Sequence, residues 1–550
     1  MRCTDVLSLS LALCAAAPAT AGTFRETPIA PEYGVNALTQ GVAREQLGKS
    51  VFANPYATVT LGSVDLYDKF PYVESRRFQI VSDPSWGRLV FGEAGKSLRA
   101  FDGKGTALGA LSAPRGLAVD EQNRVYVADS GNDRVLVLQA AHEFDALTLS
   151  PLYEVKGLHQ PYGVAVSDGG TPFDASDDRM YVADTGRNQV VSFALSASGA
   201  RRVAATGDLG SGTGHFAGPM AIAVGRRDGV QTADVFVADA HNRRIVRLSD
   251  MGASLAWTDE VRHDADIVTA LDTDRWGNVY AAAPNRSTVY KFNPQLAPVA
   301  ALKVDGSRPR SFSVPFLNVS DHRTGTVTRA GQPNALFVDS WSDQAGISLY
   351  DLGLEVQDLA VVGGSAPAAR FLLTDRAAVT LEVRDGATGH VISRRAGGTL
   401  DAGLQSLALD ATEAGVAAGG AERTLRVSAA SSYTDGPSDV AEAAFHVDGA
   451  GAVLPPNQVA LLGNVPNPIR FATRIAFQLP AGREGAVTLR LFDARGRLVR
   501  RLDGPFTPGL NEVAWDAKDE HGARVTPGVY FLRLSVAGEV HSGRMVVIGS

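Results

Sequence analysis

The chain has 550 residues, with 59 acidic against 52 basic side chains and a net charge of −7 at neutral pH. Its acidic residues are spread along the sequence and no block of basic residues occurs, which argues against a nucleic-acid-binding protein. Both cysteines, Cys3 and Cys14, lie near the start, so the remainder of the chain has no disulfide and no thiolate metal site.

The first residues predict a secretory signal peptide. Arg2 precedes an apolar run at Val6–Ala17, and Ala19-Thr20-Ala21 has the small-residue pattern of a cleavage site. The run is too short to span a bilayer, and no later stretch approaches the roughly 20 apolar residues that a transmembrane helix needs. We therefore predict that residues 1–21 are removed by cleavage after Ala21, and that the protein is exported.

An internal repeat is predicted at residues 58–352, after an N-terminal segment at 22–57. Its clearest unit is Pro114–Val135, in which Pro-Arg-Gly-Leu-Ala-Val-Asp is followed by Val-Tyr-Val-Ala-Asp and a turn with Asn and Arg. Similar units begin at Pro161 and Pro219, and three weaker units flank them. Because a four-stranded sheet cannot bury both faces alone, such units stack around an axis. We predict a six-bladed β-propeller.

The weaker units leave details of the ring to be predicted. Acidic anchors are expected where the middle strands end. Strands within Thr58–Tyr67 are expected to close the ring with the last blade. Insertions at Ser167–Arg179 and Gly225–Ala233 are expected to extend hairpins. The predicted anchors are Glu93, Asp129, Asp184, Asp239 and Asp339, with Pro284 in the fifth unit.

This repeat resembles the NHL-repeat β-propeller family. The string P-x-G-h-A-V-D…h-Y-V-A-D-x-x-N-x-R-h is present at residues 114–135 and is followed well at 161–191 and 219–245. The first, fifth and sixth units lack most of the Asn and Arg of this motif. The resemblance implies a propeller over slightly more than half of the chain.

Two Ig-like β-sandwich domains are predicted after the propeller. The segment Val379–Asp385 is echoed by Val487–Asp493, and short strands with Gly-rich turns follow both. We place the domains at 353–449 and 458–550, joined by a linker at 450–457. The predicted fold class is therefore all-β, a six-bladed propeller followed by two sandwiches.

The last predicted domain carries specific motifs, among them Asn464-Val465-Pro466-Asn467-Pro468, Gly528-Val529-Tyr530 and the apolar strand Met545-Val546-Val547. On these motifs it resembles the Ig-like domain of flagellar hook-capping proteins and, equally, the C-terminal sorting domain of type IX secretion cargo. The other parts of a hook-capping protein are missing, so a flagellar role does not follow. The sorting resemblance implies that residues 458–550 engage a secretion machinery.

Candidate ligand-binding residues are those expected to begin the inner strands. In a propeller these positions surround one mouth of the central channel, where arginine and aromatic side chains suit an anionic or polymeric ligand. An ordinary mixed surface is equally compatible with the same residues. The predicted ring consists of Phe78, Arg115, Tyr162, Met220, Ile267 and Arg310.

A zinc site is not predicted. Some NHL-like propellers resemble peptide-amidating lyases, whose zinc requires three converging histidines. The inner-strand positions hold no histidine, and the candidates His159, His215, His241 and His263 are expected in loops. We therefore predict no metal and no cofactor.

Two further polar patterns receive a structural interpretation. The recurring Asp, Asn and Arg of the turns are expected to be scaffold, because they appear once in each repeat. Asp174–Asp178 is superficially similar to a calcium loop, but it lacks the Gly and the closing Glu of an EF-hand. A solvated hairpin tip is expected there.

These observations predict an exported binding protein that is not an enzyme. Its propeller is expected to bind an extracellular ligand, which is a peptide, a glycan or an anionic polymer, outside the cell or at its surface. Two alternatives stay open. One is an extracellular propeller enzyme of the metal-dependent lyase kind, and the other is a structural surface component.

Overall fold

The fold is given by a computed structural model. It describes residues 24–26, 56–66, 73–93, 98–143, 146–171, 174–263, 265, 267–303, 309–313, 316–321, 326–331, 335–340, 346–352, 354–362, 367–409, 421–432, 438–447, 459–465, 469, 473–480, 487–493, 495–502, 504, 506–507, 509–526 and 528–547. Within these residues the chain consists of β-strands and short 3₁₀ turns, which confirms the all-β prediction. The predicted signal peptide and the linker at 450–457 lie outside the described residues.

Six four-stranded units surround one axis, with their innermost strands side by side in a closed ring. The predicted six-bladed propeller is thus confirmed. From the axis outward, the strands are Thr58–Leu66, Val73–Asp83, Arg88–Glu93 and Arg99–Phe101 in blade 1; Pro114–Val119, Arg124–Asp129, Arg134–Glu143 and Ala146–Val155 in blade 2; Pro161–Ser167, Arg179–Asp184, Gln189–Ser196 and Gly199–Thr206 in blade 3; Pro219–Arg227, Val230–Asp239, Arg244–Asp250 and Leu255–Arg262 in blade 4; Ala270–Thr273, Val279–Ala283, Thr288–Phe292 and Pro298–Lys303 in blade 5; and Pro309–Ser313, Ala335–Ser340, Gly346–Leu352 and Phe24–Glu26 in blade 6.

The ring closes differently from the prediction. Blade 6 takes its outer strand from Phe24–Glu26, which pairs antiparallel with Tyr350–Leu352. Thr58–Leu66 is instead the inner strand of blade 1. It meets blade 6 through an inserted hairpin, Phe316–Asp321 and Thr326–Gly331, whose first strand pairs parallel with Ser63–Leu66. The predicted hairpin extension of blade 4 is present, since Arg226 pairs with Gln231.

The middle strands explain the apolar runs in the sequence. Arg124–Asp129 is buried along its whole length, because both of its faces pack on neighbouring blades. In blades 1 to 5 the middle strand leads into a 3₁₀ turn that ends on a left-handed residue, a conformation that Gly, Asn and Asp adopt most easily. These left-handed residues are Gly87, Asp133, Asn188, Arg243 and Ser287.

The turns also correct three predicted anchors. In blade 5 the residue before the turn is Ala283, and Pro284 is the first residue of the turn. In blade 1 the residue before the turn is Asp83, whereas Glu93 ends the third strand. In blade 6, Pro309 pairs with Ser340, which is the same pairing that Pro114 makes with the anchor Asp129 in blade 2. Ser340 therefore occupies the anchor position, and the predicted anchor Asp339 is the residue before it. The residues before the turns are therefore Asp83, Asp129, Asp184, Asp239 and Ala283, with Ser340 at the corresponding position in blade 6.

Two sandwiches of identical strand order follow, each with a three-stranded and a four-stranded sheet. The echo between Val379–Asp385 and Val487–Asp493 reflects equivalent strands, each second in its four-stranded sheet. The strands are Val356–Val362, Ala368–Leu373 and Gly403–Ala408 facing Val391–Leu400, Ala377–Asp385, Ala421–Ser431 and Ser438–Val447 in the first sandwich, and Ala460–Val465, Thr473–Leu479 and Gly509–Trp515 facing Leu498–Leu502, Val487–Asp493, Gly528–Val536 and Glu539–Val547 in the second. Among the described residues, no helix has the length and apolar character needed to cross a membrane.

The first sandwich contacts the propeller through a buried ion pair. Lys291 Nζ of blade 5 lies 3.3 Å from Asp375 Oδ2 of the sandwich, and the two side chains are 1% and 2% exposed. Asn278 of blade 5 also donates to Asp375 Oδ1 at 3.3 Å. Such a pair requires both partners, because a lone buried charge is strongly unfavourable.

This contact lies at the end of the propeller where the inner strands finish. Arg376 of the sandwich pairs with Asp228, at the tip of the blade 4 hairpin, at 2.6 Å. Asn293 Nδ2, just after the third strand of blade 5, donates to Ala402 O at 3.2 Å. The sandwich therefore covers part of this end at blades 4 and 5, on the side opposite to the start of the inner strands.

Candidate functional site

The first residues of the inner strands form a ring that we call the channel mouth. Each of them comes directly after the residue that pairs with the anchor of its blade. Pro114, for example, pairs with the anchor Asp129, and Pro219 pairs with the anchor Asp239. By this register the channel mouth consists of Tyr56, Arg115, Tyr162, Met220 and Thr269, with the backbone of Arg310 in blade 6.

Three predicted site residues lie in this ring with described side chains. Arg115, Tyr162 and Met220 are each partly buried there. Arg310 follows Pro309 on the inner strand of blade 6, in the same register as Arg115, but its side chain lies outside the described part of the structure. Their role in ligand binding remains a prediction.

Phe78 was placed wrongly. It lies on the middle strand of blade 1, between Leu61 and Glu93, and is only 1% exposed. Tyr56 occupies the ring position that was predicted for Phe78. The sequence holds the missed signal, since Asp83 and Arg88 have the same spacing as Asp129 and Arg134, and Pro55-Tyr56-Ala57 resembles Pro161-Tyr162-Gly163.

Ile267 was also placed wrongly, by two residues. Ala270 pairs with Ala282 just as Ala221 pairs with Ala238, which puts Thr269 in the ring. The N–H of Thr269 donates to Ala282 O at 3.0 Å. Blade 5 has no proline before its inner strand, so the sequence offered no mark from which to count.

Arg115 is the central cation of the channel mouth. Its Cζ lies 4.0 Å from the ring centroid of Tyr162 and 5.1 Å from that of Tyr56. The two rings themselves meet edge to face at 6.2 Å. Arg115 Nε is buried without a hydrogen-bond partner, and no described residue forms an ion pair with this side chain. The two rings thus hold a guanidinium in place without neutralising its charge.

The inner strands that carry these residues approach one another closely. A Cβ on Gly116 would lie 2.4 Å from the carbonyl oxygen of Tyr162, so this position excludes any larger residue. Hydroxyl groups also tie inner strands to the preceding blade, with Ser82 Oγ of blade 1 donating to Arg115 O at 2.6 Å and Thr185 Oγ1 of blade 3 donating to Pro219 O at 2.6 Å. The channel mouth is consequently built on rigid backbone.

The Asp, Asn and Arg of the turns are scaffold, as predicted. Asp239 accepts hydrogen bonds from Ala217 N at 2.7 Å, Asn242 Nδ2 at 2.7 Å and Arg244 Nε at 2.8 Å. Burial raises the pKa of the Asp239 carboxyl, although all three donors favour its ionised form. Arg244, on the third strand, also forms an ion pair with Glu260 at 2.8 Å. Through Asp239 and Glu260 it therefore connects the second strand of the blade to the fourth.

An acidic cluster lies between blades 2 and 3, at the end away from the channel mouth. Asp174 and Ser176 are exposed, as expected of a hairpin tip, but Asp178 is only 2% exposed. Burial raises the pKa of Asp178 to about 7, and the nearby carboxylate of Glu121 adds to the rise. Arg124 lowers this pKa from 3.3 Å away, while Asp178 Oδ1 has no hydrogen-bond partner among the described residues.

We expect Asp178 to make the propeller less stable as pH rises. The folded state keeps this proton up to about pH 7, whereas the unfolded chain releases it near its ordinary pKa of 3.8, so stability falls between these values. Asp178→Asn should therefore be more stable than the wild type at pH 8 and equal to it at pH 4. Urea midpoints at both pH values measure this, with the exposed Asp174→Asn as control. An Asp178→Asn gain that is equal at both pH values would contradict the assignment.

Histidines and carboxylates are not grouped as metal ligands within the described residues. His159 lies 3.4 Å from Asp133, and His215 pairs with Asp208, both in loops outside the channel mouth. No described residue of the channel mouth is a histidine. Among the described side chains of the channel mouth, the cation is Arg115.

Two protein families match parts of the chain. The NHL repeat matches residues 111–138, within blade 2 and the loop before it. The FlgD Ig-like domain matches residues 470–539, within the second sandwich. No curated protein matches the sequence.

A comparison with solved structures gives matches of low similarity over part of this chain. A catalytically inactive virginiamycin B lyase from Staphylococcus aureus, solved with quinupristin, has 9% identity and a TM-score of 0.34, over 60% of this chain and 98% of that one. A streptogramin B lyase has 10% identity and a TM-score of 0.32, over 60% and 97%. Hydrazine synthase from Kuenenia stuttgartiensis has 13% identity and a TM-score of 0.29, over 52% and 97%.

The two family matches agree with the resemblances inferred from the sequence motifs. Together they support a platform for protein interaction. The chain thus contains an NHL repeat within a six-bladed β-propeller and carries an Ig-like domain of the FlgD kind at residues 470–539.

Proposed function

We propose that the protein is an exported binding protein whose propeller holds an anionic group of an extracellular ligand at the channel mouth. The observation that carries the proposal is Arg115, a partly buried guanidinium between Tyr56 and Tyr162 with no anionic partner among the described residues. The signal peptide predicted at residues 1–21 supports the extracellular location.

The environment of Arg115 favours an anion over a neutral ligand. Its charge is partly shielded from water, so a carboxylate or phosphate there would gain more than at the open surface. The two rings hold the side chain in place, which lowers the entropy cost of binding. The first sandwich covers part of the opposite end of the propeller, so a ligand has freer access to the channel mouth.

The test is a double substitution. Arg115→Ala with Arg310→Ala should weaken binding of a short acidic peptide or uronic oligosaccharide selected by screening the mature chain. Losing a charged partner in a binding site costs about 2 kcal/mol, or roughly 30-fold in Kd. Calorimetric titration at two salt concentrations should also show a smaller salt dependence. Arg202→Ala, at an exposed outer strand, is the matched control.

The melting temperature distinguishes this role from a structural one. If the double variant melted far below the wild type, the arginines would be ties between blades. The ligand site would then have to be sought at the other end of the propeller, among Ser167–Arg179 and Gly225–Ala233.

We also propose that residues 458–550 act in secretion or surface attachment and take no part in binding the ligand of the propeller. The motifs shared with sorting domains support this, and so does the complete core of the second sandwich, which includes Phe477, Leu491 and Trp515. Deleting the domain should leave the propeller folded but retain the chain in the periplasm. Fractionation of expressing cells measures this, and normal arrival of the shortened chain outside the cell would overturn the proposal.

A further inference from the structure

The outer face of the four-stranded sheet in the second sandwich carries a row of arginines. Arg501 lies directly opposite Arg490, and Arg490 lies directly opposite Arg533, on three adjacent strands. All three side chains are exposed. We call these three residues the arginine row.

The arginine row is repulsive within its own sheet. Like charges directly opposite each other destabilise a sheet. None of the three side chains has an ion pair or hydrogen bond with a described residue, whereas the nearby Arg497 pairs with Asp493 at 2.8 Å. An arrangement that costs stability and has no side-chain ion pair among the described residues indicates an external anionic partner.

The charge of the domain points the same way. Residues 458–550 contain 12 basic and 8 acidic side chains, although the whole chain has 52 basic and 59 acidic ones. The basic excess of this domain is thus opposite in sign to the rest of the protein. Charge asymmetry of this kind is typical of a region that meets a polyanion.

Exposed apolar side chains adjoin the arginine row. Phe531 is 44% exposed and lies opposite Phe492, and Leu498 is 38% exposed on the next strand. Phe492 and Phe531 are each two residues from an arginine of the row, so they share its face. The surface therefore combines a line of positive charges with aromatic rings.

We propose that this face binds an acidic polysaccharide, a second ligand beyond the one at the channel mouth. Adjacent strands lie about 4.8 Å apart, so the arginine row repeats its charge at about that spacing. A uronic acid chain carries one carboxylate for each sugar ring, and the length of a ring unit is close to this spacing. The preference for a sugar polymer also relies on the extracellular location in the proposed function.

The aromatic rings add a second criterion. The C–H face of a sugar ring can pack on Phe531, while its carboxylate meets an arginine of the row. A polyanion without sugar rings would use the arginines alone. Dependence on Phe531 therefore separates a polysaccharide site from general attraction between opposite charges.

The experiment titrates the mature full chain with polygalacturonate by calorimetry. Arg490→Ala with Arg533→Ala should weaken binding by about tenfold or more, and Phe531→Ala should weaken it severalfold. The controls are Arg474→Ala with Arg495→Ala, which removes the same charge from the opposite sheet and from a hairpin tip. Dextran and polyglutamate serve as the neutral polymer and the acidic polypeptide. Because the row is repulsive, its double variant should also melt no lower than the wild type.

Several outcomes would overturn the proposal. These are equal loss in the control double variant, polyglutamate binding as tight as polygalacturonate, or binding that is insensitive to Phe531→Ala. Titration of the Arg115→Ala chain removes the channel mouth as a competing site for polygalacturonate. Loss of binding in Arg115→Ala alone would assign the polymer to the channel mouth and refute the second site without refuting the first.

Discussion

Replacing Arg244 by alanine is expected to lower the free energy of unfolding of the propeller by about 3–5 kcal/mol, because it leaves a buried carboxylate without its counter-charge. The side chains of Arg244 and Asp239 are 1% and 0% exposed and lie 2.8 Å apart. Arg244 also donates to the carbonyl oxygens of Gly212 at 3.0 Å and His215 at 2.7 Å, so the loop before blade 4 loses two hydrogen bonds as well. Urea unfolding followed by circular dichroism, with the propeller transition fitted separately, measures the loss.

Blade 3 provides the matched control. There the anchor Asp184 pairs at 2.9 Å with Arg187, whose side chain is 43% exposed. Exposed pairs contribute about 1 kcal/mol or less, so Arg187→Ala should have a small effect. Similar losses in Arg187→Ala and Arg244→Ala would show that burial does not determine the contribution of these turns.

Replacing Asp375 by alanine is expected to uncouple the first sandwich from the propeller. The change leaves Lys291 buried with no other ion-pair partner among the described residues, at a cost of about 3–5 kcal/mol. Burial raises the pKa of Asp375 to about 6, so the interface already holds this carboxylate in an unfavourable setting. In scanning calorimetry the wild type should show one joint transition for the two units, and Asp375→Ala should show two.

A double variant separates charge from packing at this interface. Lys291→Met with Asp375→Leu removes both charges and retains apolar volume, so it should restore most of the joint transition. If the double variant unfolded in two steps like Asp375→Ala, the coupling would depend on the specific ion pair. If Asp375→Ala itself kept one transition, the pair would not be what joins the two units.

The inner strand of a blade could be located from the sequence where a proline and an aspartate mark the boundaries of its strands. In blades 2 to 4 a proline precedes the inner strand and an aspartate ends the middle strand, so Arg115, Tyr162 and Met220 could be placed. Blade 5 lacks both marks, and Ile267 was therefore placed two residues too early. In blade 1 Phe78 was taken for the start of the inner strand, although it lies on the middle strand, and Tyr56 occupies the ring position instead.

Other features depend on which distant parts of the chain contact each other, and a local sequence pattern does not specify such contacts. Nothing in the sequence marks Lys291 as a buried residue, because only the docked sandwich provides its ion-pair partner. Arg490, Arg501 and Arg533 are each unremarkable exposed strand residues. Their alignment follows from the pairing of three strands, of which 487–493 and 528–536 lie far apart in the sequence.

The central claim, that the channel mouth holds the ligand, is tested most directly by oxidative footprinting of methionine. Met220 lies in the channel mouth, while Met251 is 67% exposed at a hairpin tip of the same blade and serves as an internal reference. Bound to a short acidic ligand selected by screening, the mature chain should oxidise more slowly at Met220 and at an unchanged rate at Met251. An unchanged rate at Met220 under saturating ligand would contradict the claim.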